Sequence, residues 1–144
     1  MNNNPYETPK SEVQSKNFQK RSIWWKIFFF IITLLSFTGM ATFLVAEGVG
    51  IVDYVEFLLL IIATTGFFGF VFNKKILFPK FWFGFLIFYL ISGFFYDSLS
   101  GVDMRDGMSD NMYYISLAVG YIISIPGYCA LFLYSRESHQ IWNN

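Results

Sequence analysis

The sequence predicts an all-α polytopic membrane protein, a bundle of four transmembrane helices preceded by a disordered N-terminal tail. Three observations predict it. Four apolar runs, Ile23–Ala46, Asp53–Phe72, Pro79–Tyr96 and Met112–Tyr134, are each about long enough, at ~1.5 Å per residue, to cross a roughly 30 Å hydrocarbon core. Of the 10 Lys and Arg residues, all but Arg105 fall on one side of those runs. Finally, 55% of the chain is hydrophobic, only 14% is charged and 19 residues are Phe, more apolar surface than a soluble domain of 144 residues can bury, so the excess faces lipid.

Residues 1–22 are polar, contain Pro5 and Pro9 and show no apolar period; they cannot offset the entropy of ordering and read as a disordered tail. The basic residues before the first run would suit a signal peptide, but Ile23–Ala46 is far longer than the roughly 7–15 residues of a cleavable apolar region, so it reads as a retained anchor. Lys16, Lys20, Arg21 and Lys26, interleaved with Phe18, Trp24 and Trp25, lie against the membrane. With Lys74 and Lys75 they form a surface suited to anionic lipid headgroups and not to nucleic acid.

In the second run Asp53 and Glu56 are three residues apart and share a helix face, which makes them the candidate polar site in the membrane. Glu56 is close enough to the outer edge to snorkel into water, and no Lys, Arg or His in the outer half of a span is placed to pair with it. The expectation is a hydrated interfacial carboxylate whose replacement by Gln is nearly silent. A position against Tyr or Ser side chains inside the bundle would point to transport instead.

Small residues mark packing faces: Gly66 and Gly69, after Thr64 and Thr65, in the second run, and Ser116, Gly120 and Ser124, one turn apart, in the fourth. The two faces are expected to meet within one chain, with a homo-oligomer seam as the alternative. Pro126, with Gly127 beside it, removes a hydrogen bond to Ile122 and predicts a kink in the fourth span.

Topology follows from charge. Lys10, Lys16, Lys20, Arg21 and Lys26, then Lys74, Lys75 and Lys80, then Arg136 flank one face, whereas the connection Glu47–Val52 has no basic residue and the connection Asp97–Asn111 has only Arg105. By the positive-inside rule the tail 1–22 and the tail 135–144 are both cytoplasmic. Trp24, Trp25, Trp82 and Tyr134 near the inner ends, and Tyr54, Tyr96, Tyr113 and Tyr114 near the outer ends, fit two aromatic belts. The outer loop carrying Asp103, Arg105, Asp106 and Asp110 lacks the alternating carboxylates and terminal Glu of a calcium loop and reads as a solvated recognition loop, with Asp110 capping the fourth helix.

Catalytic chemistry finds no support. Cys129 is the single cysteine and His139 the single histidine; no nucleophile has a buried base, no metal-ligand pair of His or Cys exists and no Gly-rich phosphate loop occurs. The expectation is a protein with no enzymatic activity, no cofactor and no bound metal.

Three segments, Asn4–Val13 (NPYETPKSEV), Gly66–Trp82 (GFFGFVFNKKILFPKFW) and Ile125–Trp142 (IPGYCALFLYSRESHQIW), resemble those of uncharacterised small bacterial four-span inner-membrane proteins. The resemblance covers under half of the chain and implies a bacterial cytoplasmic membrane, with no particular activity. The expected function is that of a non-enzymatic integral membrane protein acting by contact with lipid or with another membrane or periplasmic protein, for example as an immunity protein or an accessory subunit. The alternative is a small oligomeric transporter or ion channel.

Overall fold

The computed structural model describes residues 21–43, 45, 49–99, 107–136 and 139–142. Among them all regular structure is helical: α1 (Ile23–Phe43), α2 (Ile51–Val71), α3 (Pro79–Leu99), α4 (Asp110–Arg136) and the short α5 (His139–Trp142). The first four are each long and apolar enough to cross a membrane.

The helices run alternately up and down. The start of α1 meets the end of α2 through Trp25 and Phe70 (ring centroids 5.1 Å), and the start of α3 meets the end of α4 through Trp82 and Tyr134 (5.7 Å). This is the terminal end of the bundle. At the opposite, distal end, Phe37 lies 6.3 Å from Phe57, and Tyr96 reaches Asp53. Helix α2 touches α1, α3 and α4, and α3 packs most extensively on α4; α1 packs chiefly on α2.

Most of the core lies toward the terminal end, where Phe70, Val71, Trp82, Ala130, Leu131 and Tyr134 are all but inaccessible. Lipid is as apolar as these side chains, so helices gain by close packing and not by leaving water. Glycine makes that packing feasible: a Cβ at Gly66 would fall 2.6 Å from Trp82 Cε3 and from Leu131 Cδ2, and one at Gly69 would fall 2.6 Å from the Tyr134 hydroxyl oxygen. The small patch of α2 is therefore a close-approach surface, but toward Trp82, Leu131 and Tyr134. Helices α2 and α4 do pack on each other, but of the Ser116–Gly120–Ser124 stripe only Ser124 lies near the α2 patch, lining one space with Thr64; Ser116 and Gly120 are exposed, and nothing lies within 4 Å of a Cβ at Gly120. Gly66 and Gly69 meet bulky side chains instead of the stripe.

The connection between α2 and α3 is well specified. Asn73 adopts a left-handed φ of 52°, and behind it Lys74 N–H bonds the Gly69 carbonyl (2.9 Å) and Asn73 N–H the Phe70 carbonyl (3.5 Å), the Schellman closure of a helix. Leu77 also has a positive φ of 58°, a strained value for a residue with a branched side chain. Two side chains hold the turn in place with three hydrogen bonds: Tyr134 donates its hydroxyl to the Lys74 carbonyl and accepts from Ile76 N–H (3.0 Å), and Trp82 Nε1 donates to the Ile76 carbonyl (2.7 Å).

That arrangement removes Trp82 and Tyr134 from the expected aromatic belt, and Tyr113, 3% exposed, from the other one; Trp24, Tyr54 and Tyr114 are exposed as belt residues are. The last stretch is not a plain tail either. Helix α4 continues to Arg136, Ile141 of α5 is buried, and Trp142 Nε1 donates to the Tyr134 carbonyl (2.7 Å) with the two rings 4.7 Å apart. The segment 1–20, Ala46, Glu47 and the loop residues Asp103, Arg105 and Asp106 lie outside the described residues.

Candidate functional site

Asp53 and Glu56 share a face of α2 but not a task. Asp53 is fully enclosed: one carboxylate oxygen accepts the Gly50 N–H (2.7 Å) and the other accepts the Tyr96 hydroxyl (2.9 Å). As the third residue of α2 it satisfies an otherwise unpaired donor at the helix start, and Gly50 has no side chain with which to return the bond. Asp53 also ties α2 to α3 at the distal end. These bonds make it a structural anchor.

Glu56 lies one turn further in and is partly buried. Glu56, Leu60, Ala63 and Phe67 follow one another on one face of α2, and the last three line a cavity of about 80 Å³ between all four long helices.

The polar lining of that cavity comprises Thr33 and Ser36 of α1, Thr64 of α2, Tyr89 of α3, and Ser124 and Tyr128 of α4. Thr64 and Ser124 donate to carbonyls one turn back, Leu60 (2.8 Å) and Gly120 (2.9 Å), as hydroxyls in membrane helices do. Thr33 Oγ1 is shielded and has no hydrogen-bond partner among the described residues. The rings of Tyr89 and Tyr128 stand edge to face, centroids 5.9 Å apart, and Phe67 closes the α2 side. Gly127 lines the same space, beside Pro126, through which α4 runs on as helix. Tyr89, Tyr128, Thr33 and Ser36 were not singled out by sequence; the available signal was two tyrosines placed mid-span, away from either belt.

Basic residues of the terminal end face rings as well as the surface. The Arg21 guanidinium lies 4.1 Å from the Phe70 centroid and Lys26 Nζ 5.9 Å from that of Phe72, while Lys75 Nζ donates to the Trp142 carbonyl (3.2 Å). Lys74 is exposed, and Lys16 and Lys20 lie outside the described residues. At the start of α4 the cap is Ser109, whose Oγ accepts the Met112 N–H (3.4 Å), and the exposed Asp110 occupies the first turn. Among the described residues no three His, Cys, Asp or Glu side chains gather as a metal site would require.

Four long apolar helices packed around a small cavity define a multi-pass membrane protein of the helical-bundle class. No protein-family model matches the chain, and neither a curated protein nor a solved structure matches it.

Proposed function

We propose that this chain is a non-enzymatic integral membrane protein that acts by contact with other proteins or with lipid, in a bacterial cytoplasmic membrane with both termini cytoplasmic. The observation that carries the contact reading is the distal half of α4. From Asn111 to Ile123 every residue except Tyr113 and Leu117 is exposed, and the exposed set includes Ser116 and Gly120. A helix meeting only lipid gains nothing from small and polar residues there, whereas a helix meeting another helix does. Photo-crosslinking from position 116 in native membranes tests this: a protein adduct supports contact, and lipid adducts alone refute it. The Lys and Arg asymmetry supports the orientation, which a cytoplasm-active reporter fused after Asn144 checks.

The cavity between the four spans favours a second reading, a small oligomeric transporter or channel. Hydroxyls of Thr33, Ser36, Thr64 and Ser124 set into the wall of such a space are groups that a substrate pathway can use. Uptake or conductance by the purified protein in liposomes supports this reading; their absence returns the cavity to a structural role.

A further inference from the structure

We infer that the cavity between the four spans is a binding site for a short uncharged alcohol, a molecule of about three or four heavy atoms with a hydroxyl on an apolar body. This rests on the second reading's choice of site, and not on transport.

Size and charge narrow the class first. The cavity holds about 80 Å³, about half of the ~150 Å³ that accommodates a benzene ring in an apolar protein core, and so takes about three or four heavy atoms. None of the residues lining it is charged, and an ion held inside a bundle without a counter-charge is costly, so the occupant is neutral.

The apolar part of the wall narrows it further. Ile32, Leu60, Ala63, Phe67 and Leu131 offer no hydrogen bond from their side chains, so a solute that is polar all round, such as urea, would leave donors and acceptors unanswered there. An alkyl body meets the same side chains without that cost.

The hydroxyls of the wall then fix the head group. Within the described helices Thr38, Thr64, Thr65, Ser92, Ser124 and Ser135 each donate to a carbonyl of their own helix, at 2.8–3.0 Å. Thr33 departs from this habit: its Oγ1 is shielded and has no hydrogen-bond partner among the described residues, so its hydrogen remains to be donated. Thr64, whose hydrogen goes to the Leu60 carbonyl, retains lone pairs and can only accept. Ser124 is bonded both to the Gly120 carbonyl and to Tyr128, which leaves Thr64 as the acceptor of the wall. A molecule that answers both threonines accepts one hydrogen bond and donates another, as an alcohol O–H does; an ammonium N–H only donates and a ketone only accepts.

The test is a titration of the full chain in lipid nanodiscs with 2-propanol, read by NMR of threonine ¹³C-methyl groups, with Thr33→Val and Thr64→Val assigning the two signals of the cavity. Thr38 and Thr65 are exposed on α1 and α2 and report alcohol dissolved in the bilayer. Saturable shifts are expected at Thr33 and Thr64, against a linear drift at Thr38 and Thr65. Acetone, of the same size but unable to donate, should bind at least about threefold more weakly, and so should 2-propanol to Thr33→Val read at Thr64 and to Thr64→Val read at Thr33. No saturation, parallel behaviour of all four threonines, equal binding of acetone, undiminished binding by both valine variants, or saturable binding of urea in place of the alcohol overturns the inference. Should a valine variant fail to fold, the comparison of 2-propanol with acetone on the unaltered chain decides alone. Liposome flux is scored separately: alcohol binding with no flux of any solute retires the transport reading alone, and ion or solute flux without alcohol binding retires the inference alone.

Discussion

The two ends of the bundle are held together by different physics. At the terminal end, rings sit in glycine notches: Trp82 and Leu131 against Gly66, Tyr134 against Gly69, with Phe70 and Ala130 sealed beside them. At the distal end, polar ties predominate, Asp53 between Gly50 and Tyr96 and the Tyr121 hydroxyl donating to the Gly93 carbonyl (3.4 Å), while Gly93 and Gly120 have nothing within 4 Å of a Cβ. In a solvent as apolar as the side chains, burial as such gives little, so an end must interlock sterically or share strong hydrogen bonds. The terminal end does the first and adds the second; the distal end relies on the second. That leaves most of the distal half of α4 exposed.

The sharpest way to break this comparison is to fill a notch. Gly66→Ala places a methyl in contact with a rigid indole and a packed leucine, neither of which can yield freely, and is expected to cost about 1–3 kcal/mol, with Gly66→Val preventing folding. Detergent melting followed by tryptophan fluorescence reads it. A wild-type melting curve for Gly66→Ala would mean that the terminal end is not interlocked.

At the other end the equivalent blow is electrostatic. Asp53→Ala strips the Gly50 N–H of its partner and unties Tyr96, at a cost of about 1–3 kcal/mol, because a shielded donor left unpaired carries its full desolvation penalty. Tyr96→Phe should cost less, and the double variant should cost less than the sum of the two. Strict additivity in that cycle would show that the pair does not act as one knot.

What could be read from the sequence divides along the same line. Span number, span limits to within a few residues and the helix class follow from length and hydropathy alone, since lipid admits no other described solution for such runs. Gly66 and Gly69 were recognisable as a packing patch because small residues there have no other use. Their partners were not recognisable: a stripe on α4 looked complementary, yet the wedges came from Trp82 and Tyr134, which looked like belt residues. Composition cannot tell a ring that floats at a headgroup from one whose N–H or O–H is taken by a buried carbonyl, as with Trp82 and Ile76. For Glu56, depth along the helix was legible but its azimuth relative to α3 and α4 was not, and the azimuth sets its neighbours.

A milder change sharpens the terminal end by separating ring from hydroxyl. Tyr134→Phe keeps the stacking on Trp82 and Trp142 and deletes the bonds to Lys74 and Ile76, so about 1–3 kcal/mol should be lost. Hydrogen exchange should rise at the Ile76 amide while amides within α2 stay protected. If exchange rises equally throughout, the hydroxyl supports the whole end and not the turn alone.

The smallest effect is expected at Gly120, where it is also the most discriminating. Nothing within this chain meets a Cβ there, so Gly120→Ala removes a flexible residue from a helix interior without a clash, and is expected to be neutral or to stabilise by no more than about 1 kcal/mol. The same step at Gly66 costs stability, and opposite signs for one chemical change are what the two-ended description demands. Gly120→Leu carries the argument beyond the single chain. Against lipid a leucine is as welcome as an alanine, so an unchanged melting curve is expected from the isolated protein. Against a neighbouring helix that uses the gap between Ser116 and Ser124, the larger side chain holds the backbones apart and should abolish the protein adduct from position 116. Loss of the adduct with melting unchanged assigns the bare face of α4 to a partner, whereas an adduct that survives Gly120→Leu places the contact on another face.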